Sequence, residues 1–157
     1  MYNNNSNVVK VGDNIANINN LKIGINQTLD KEFPNITIYN ERIEQDFEEP
    51  CFFIKVLSSG QDKELNIRYK KNILFDIHYF SDKEDLNNDC NDMADRLYEV
   101  LEYIKVNNSL YRSNEMTHEV IDGVLHFMLQ FNYHVLKEIE KAPKMNKLKQ
   151  EVYLNGR

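Results

Sequence analysis

The sequence predicts an α+β fold, a mainly antiparallel sheet with two helices packed on one face, and three observations carry that reading. Apolar residues recur at spacings of three and four in two stretches, 15–33 and 82–104. They alternate at a spacing of two over 65–80 and 124–135. Asp122-Gly123 stands between two alternating runs, the signature of a tight hairpin. Helix, strands, helix and hairpin in that order segregate the helices from an antiparallel sheet.

Residues 1–14 are Asn-rich, with Val8, Val9 and Val11 as the apolar cluster. They read as a flexible arm able to order as a strand on a partner. The first helix uses Ile15, Ile18, Leu21, Ile25 and Leu29 as one buried stripe, and Pro34 stops it. Ile36 and Ile38 then mark a short strand. Residues 40–49 are polar and acidic, Pro50 punctuates, and CFFIKVLS at 51–58 reads as a strand buried on both faces. SSGQDK at 58–63 has turn composition.

Over 65–80, Leu65, Ile67, Tyr69, Ile73, Phe75, Ile77 and Tyr79 share one face, broken only by Lys71. At strand rise this stretch spans roughly 53 Å, two to three times a usual strand. A bend or bulge is therefore expected near Lys71 and Asn72. Residues 51–58 then pair with the first half, and the tip near Ser58 to Lys63 extends beyond the core.

The second helix takes Leu86, Cys90, Met93, Ala94, Leu97, Leu101 and Ile104 as its stripe. Asp82 with Asp85 resembles a capping arrangement. Asp89, Asp92, Asp95 and Glu99 form an exposed acidic surface. The hairpin pairs Glu119 with His126 and His118 with Phe127, and puts Leu125, Phe127, Leu129, Phe131, Tyr133 and Val135 on one face. Residues 137–157 carry six Lys/Arg against three Glu, with Met145, Leu148 and Val152 at helical spacing. The domains are thus an arm at 1–14, a body at 15–136 and a basic assembly arm at 137–157.

With 157 residues, 41 % of them hydrophobic and 17 of them Tyr or Phe, the chain can bury a two-layer core. Its net charge of −6 argues against a dedicated duplex-binding module. Cys51 and Cys90 belong to no CxxC and read as reduced core thiols. The apolar runs are too short for a membrane span, and MYNNNSNVV has no apolar signal core, so folding in a reducing cytosol is expected.

Chemistry is thin. His126 and His134 lie on one side of a strand but about 26 Å apart. Asp76 and His78 share a face about 7 Å apart, and an ion could bridge them only with a third ligand that the sequence does not name. No metal site, cofactor or catalytic residue is expected. There is no GxSxG, no Cys beside a His and no glycine-rich phosphate loop.

Five segments taken together, EPCFFIKVL (49–57), RYKKNILFDIHYF (68–80), LYEVLEYI (97–104), VIDGVLHFMLQFNYHV (120–135) and PKMNKLKQEVYLNG (143–156), resemble a family of small phage tail proteins. These are the tail terminators of contractile-tailed prophages and phage-like elements of Gram-positive bacteria. The likeness runs from about Leu21 to Gly156 and leaves residues 1–16 unassigned.

The resemblance implies a tail-terminator-like domain and a virion structural protein, not an enzyme. It implies a homohexameric ring that caps the head-proximal end of the tail tube and joins it to the neck or head connector. Implied partners are further copies of itself, the tail tube protein, and sheath and neck proteins. DNA would pass through the ring without sequence-specific binding, and no membrane is involved. The protein would be made in the host cytoplasm and reside in the neck region of the tail. Six copies would carry roughly −36, which would repel DNA from the lumen wall if the acid groups face it. The expected contacts with a neighbouring subunit or the tube are Tyr69, Lys70, Lys71, Met145, Leu148 and Val152. An alternative is a tail adaptor or assembly-chaperone module acting as a monomer or dimer.

Overall fold

The computed structural model describes residues 8–10, 15–40 and 47–137. In chain order the elements are β1 (Val8–Lys10), α1 (Ile18–Glu32), β2 (Thr37–Asn40), β3 (Cys51–Leu65) and β4 (Arg68–Phe80). They continue with α2 (Leu86–Val100), β5 (Tyr103–Val106), β6 (Ser109–Arg112), β7 (Glu115–Ile121) and β8 (Val124–Leu136). One sheet runs β1-β8-β4-β3-β2, with β7 also on β8. The long strands β3, β4 and β8 are antiparallel, and only the short β1 and β2 pair in parallel. β5 and β6 form a separate hairpin. The fold is α+β, as the sequence predicts.

One face of the sheet is the core. Phe52 and Ile54 of β3, Ile73, Phe75, Ile77 and Tyr79 of β4, and Leu125 to Val135 at alternate positions of β8 are buried there. Against them pack Leu21, Ile25 and Leu29 of α1 and Cys90, Met93, Ala94 and Leu97 of α2. The side chain of Asn17 accepts from the Asn20 amide and starts α1. Gly24 lets α1 approach β5 closely: a β-carbon there would stand 2.6 Å from Val106 Cγ2 and 3.2 Å from the carbonyl of Lys105.

The Asp122-Gly123 turn forms with φ of 50° and 78°, and its register pairs Glu119 with His126 and His118 with Phe127. Both cysteines are free and buried. Burial, with Glu49 adding, pushes the Cys51 thiol up to about 11.

The structure corrects several expectations. The turn between β3 and β4 is at Asn66-Ile67, not 58–63, because Asn66 adopts a left-handed φ of 45°. SSGQDK is polar because it is an exposed strand, not because it turns. Residues 51–58 therefore pair with the second half of the alternating run, Cys51 with Phe80 and Ser58 with Leu74. Leu65, expected on the apolar face, is 75 % exposed beside the turn. β4 runs unbroken through Lys71 and Asn72. The register shifts lie in β3, between Val56 and Ser58 and between Lys63 and Leu65.

The second helix is shorter than its apolar stripe. It begins at Leu86 with Asp85, not Asp82, as N-cap, and ends at Val100. Leu101 is its C-cap, and Ile104 reaches the same core from β5. Val8–Lys10 pairs with this chain's own β8 rather than requiring a partner.

Candidate assembly surface

The β3–β4 hairpin is longer than the helices that cover it. β2 pairs with β3 only from Cys51 to Ile54, and from Leu57 to Asn66 every residue is exposed. This leaves β3 as an exposed, open-edged arm, while its partner β4 stays paired with β8 as far as Arg68. Cross-strand contacts stiffen it: Asn72 Nδ2 donates to Asp62 Oδ2 at 2.9 Å, Arg68 pairs with Glu64 at 3.0 Å, and His134 meets Glu64 at 3.1 Å.

At the base of the arm the inner face of the sheet is open. A groove of about 410 Å³ there is lined by Ile15, Ala16, Asn17, Gln61, Tyr69, Lys71, Val135 and Lys137. A second hollow of about 260 Å³ shares Gln61 and Lys71 with it. The apparent break at Lys71 in the apolar pattern is thereby explained. Its side chain points to the core side of the sheet, but beyond the helices, where that side meets water.

The three consecutive interface candidates divide between the faces, as strand geometry requires. Tyr69 and Lys71 line the groove, in register with Val135 and Tyr133. Lys70 is on the outer face, in register with Asp62 and His134. Lys137 is at the groove, and its N–H donates to the carbonyl of Ile67 at 2.8 Å. Met145, Leu148 and Val152 lie outside the described residues.

The acidic surface of α2 is narrower than expected. Asp92, Asp95 and Glu99 are exposed, but Asp89 is buried. Tyr79 Oη and Ser81 Oγ donate to Asp89 Oδ2 at 2.8 and 2.5 Å, and Lys83 pairs with its other oxygen. Burial alone would raise this carboxyl, but the bonds from Lys83, Ser81 and Tyr79 outweigh it and hold the group below the ordinary Asp range. Asp89 thus ties the β4–α2 connection to the first turns of the helix.

A family model described as phage tail terminator protein matches residues 20–143. The chain belongs to the phage tail terminator family. This terminator is accordingly a structural component of a phage tail, from a family that is not enzymatic, and the virion tail is its place. No curated protein matches it in sequence. One solved structure is similar over 81 % of this chain and 100 % of its own, at 8 % identity and a TM-score of 0.44.

The outer face of the terminator's sheet holds one constellation that the sequence reading left incomplete. His126 of β8 stands in register with His78 of β4, and their ring centroids are 4.2 Å apart. Asp76 lies on the same face, with Oδ2 2.7 Å from His78 Nε2 and 3.2 Å from His126 Nδ1. Burial raises the Asp76 carboxyl, but the hydrogen bonds from His78 and His126 more than reverse this and lower it. An ionised carboxylate only accepts, so both ring nitrogens donate to it. His126 is the third group that Asp76 and His78 lacked. Strand pairing supplies it, and the signal was the shared outward parity of positions 76, 78 and 126.

Proposed function

We propose that this protein closes the head-proximal end of a tail tube as a ring, six subunits in the reading its family supports, and joins the tail to the neck or head connector. In a contractile tail it would also meet the sheath. Family membership is the starting point, and the observation that carries the reading further is the open-edged β3 arm. The outer edge of β3 lacks a partner strand beyond Ile54 among the described residues, it carries exposed Leu57 and Leu65, and a groove stands at its base. An open strand edge is a template for pairing with another chain.

In this reading Tyr69 and Lys71 meet a neighbouring subunit or the tube through the groove, and Lys70 contacts it from the other side. The exposed Asp92, Asp95 and Glu99 offer an acidic counterpart to the basic segment 137–157, which serves as the assembly arm. DNA passes the acidic ring without sequence-specific contacts, and the subunits are made in the host cytoplasm.

Light scattering together with negative-stain micrographs of the full chain, alone and with its tube protein, tests this. Rings seated on tube ends support it. A protein that stays monomeric or dimeric at high concentration with tube protein present overturns it and favours an adaptor or assembly chaperone.

A further inference from the structure

We propose that Asp76, His78 and His126 bind one divalent transition-metal cation of the Zn²⁺ class across β4 and β8. Candidate ligand atoms of all three lie within 4.8 Å of one another. In a tetrahedral site with metal–ligand bonds of about 2.0–2.1 Å, the ligand atoms stand about 3.3 Å apart. The separations from Asp76 Oδ2 are 3.2 Å to His126, close to that value, and 2.7 Å to His78, shorter than it. An ion entering there replaces the two ring protons, each of which moves to the far nitrogen of its own ring, and the Asp76–His78 edge opens by about 0.6 Å. Each imidazole would turn from donor to ligand through the nitrogen that already faces the carboxylate.

An independent observation points the same way. Asp76 is 6 % exposed, and its Oδ1 is buried without a hydrogen-bond partner. A buried carboxylate oxygen left unsatisfied is costly. A cation held by both oxygens of this carboxylate would satisfy it without any further side chain. Among the described residues, no other group of His, Cys, Asp or Glu converges in this way. His118 is bonded to Tyr98 Oη through Nδ1, and His134 to Glu64 through Nε2.

The ligand types select the ion. Two imidazole nitrogens with one carboxylate oxygen suit a borderline transition cation, whereas Ca²⁺ and Mg²⁺ prefer all-oxygen shells. The scaffold is stiff, since β4 is paired along its length with β8 and β3. The His78 and His126 side chains are 16 % and 25 % exposed, which leaves a fourth position open to water from the outer face. Lys55 of β3 is in register with Asp76, and Glu119 of β7 with His126. One cation and one anion thus flank the site from the adjoining strands. The ion would act as a clamp between β4 and β8.

The test uses the full-length chain, freed of metal with a chelator and titrated with Co²⁺ and with Zn²⁺. One equivalent is expected, with visible Co²⁺ absorption bands of a low-coordinate site. His78→Ala, His126→Ala and Asp76→Asn should each weaken Zn²⁺ binding at least ~100-fold, while His118→Ala should not. Circular dichroism checks that each variant is folded, and His126→Gln substitutes where the alanine variant is not. X-ray absorption of the Zn²⁺-loaded wild type gives an answer that needs no variant. Two imidazoles and no sulfur support the site. Sulfur ligation, binding that survives His126→Ala, or no binding tighter than about 0.1 mM overturns it.

Discussion

The Tyr133 hydroxyl donates a 2.6 Å hydrogen bond to the carbonyl of Ala16 at the start of α1. The N–H of the same Ala16 donates to Tyr111 Oη at 3.1 Å, and the two rings meet edge-on with centroids 5.4 Å apart. Two buried phenols thus clamp one peptide segment between β8 and the β5–β6 hairpin. Burial, helped by Tyr111, pushes the Tyr133 hydroxyl up to about 12. Tyr133→Phe and Tyr111→Phe are each expected to cost about 1–2 kcal/mol by stranding a backbone group of Ala16. The double variant should cost less than the sum, since both act on one segment. Urea melts of the four proteins measure this.

Gly24 sits where α1 touches β5. Alanine there gains about 1 kcal/mol of helix propensity but drives its β-carbon against Val106 and the Lys105 carbonyl. Overpacking of that kind costs about 1–3 kcal/mol, so Gly24→Ala should lower the melting temperature. An unchanged or raised value would show that β5 can move away freely.

Asp89 makes stability depend on acid. Its folded carboxyl lies below its unfolded value, so its contribution is present above the ordinary Asp value of about 3.9 and is lost as pH falls through the folded value. Asp89→Asn should cost about 1–3 kcal/mol at pH 7. The gap to wild type should close as the pH is lowered below 4. A gap independent of pH would mean that shape, and not charge, is what Asp89 supplies.

Charge reversal should separate the two sides of the arm. Lys71→Glu enters the groove and is expected to reduce ring formation or tube capping at least ~10-fold, a change of about 1.4 kcal/mol. Lys70→Glu, on the opposite face, should have a smaller effect. Assembly is read by sedimentation and by micrographs of capped tubes. If both variants assemble like wild type, the groove is not the contact.

Truncation after Ala142 addresses the basic segment. The shortened chain should fold but assemble poorly, and assembly by the full chain should weaken as salt screens the basic charge. Tails terminated normally by the truncated protein would remove this segment from the interface.

Most of the body was legible because periodicity reports burial directly. The β8 alternation and the Asp122-Gly123 turn left one register available, and that register formed. The β3–β4 turn was misplaced because polar composition marks exposure, and an exposed strand shares it with a loop. The cue that decided it was a single residue, Asn66, able to take positive φ. The β5–β6 hairpin was not foreseen, although Asn107-Asn108, with φ of 48° and 65°, sits between two four-residue strands. Ile104 fits the helical stripe by spacing although it belongs to β5, since a core accepts an apolar residue from either element. Asp89 stands three residues after Leu86 and four before Met93, so spacing placed it on the buried stripe while its charge argued for the surface. Its partners Tyr79, Ser81 and Lys83 arrive from the chain before the helix, where no period could reveal them.

All 13 residues of β4 are paired with β8, and β3 is laid antiparallel along the other side. A pull along the axis of β4 loads both ladders in shear, so many hydrogen bonds must yield together. A pull across the sheet at β7 or β2 peels one short edge strand, one pair after another. The domain is therefore mechanically anisotropic, toughest along the direction in which its arm runs. A subunit gripped by that arm would pass tension into its strongest axis and leave the weak edges unloaded.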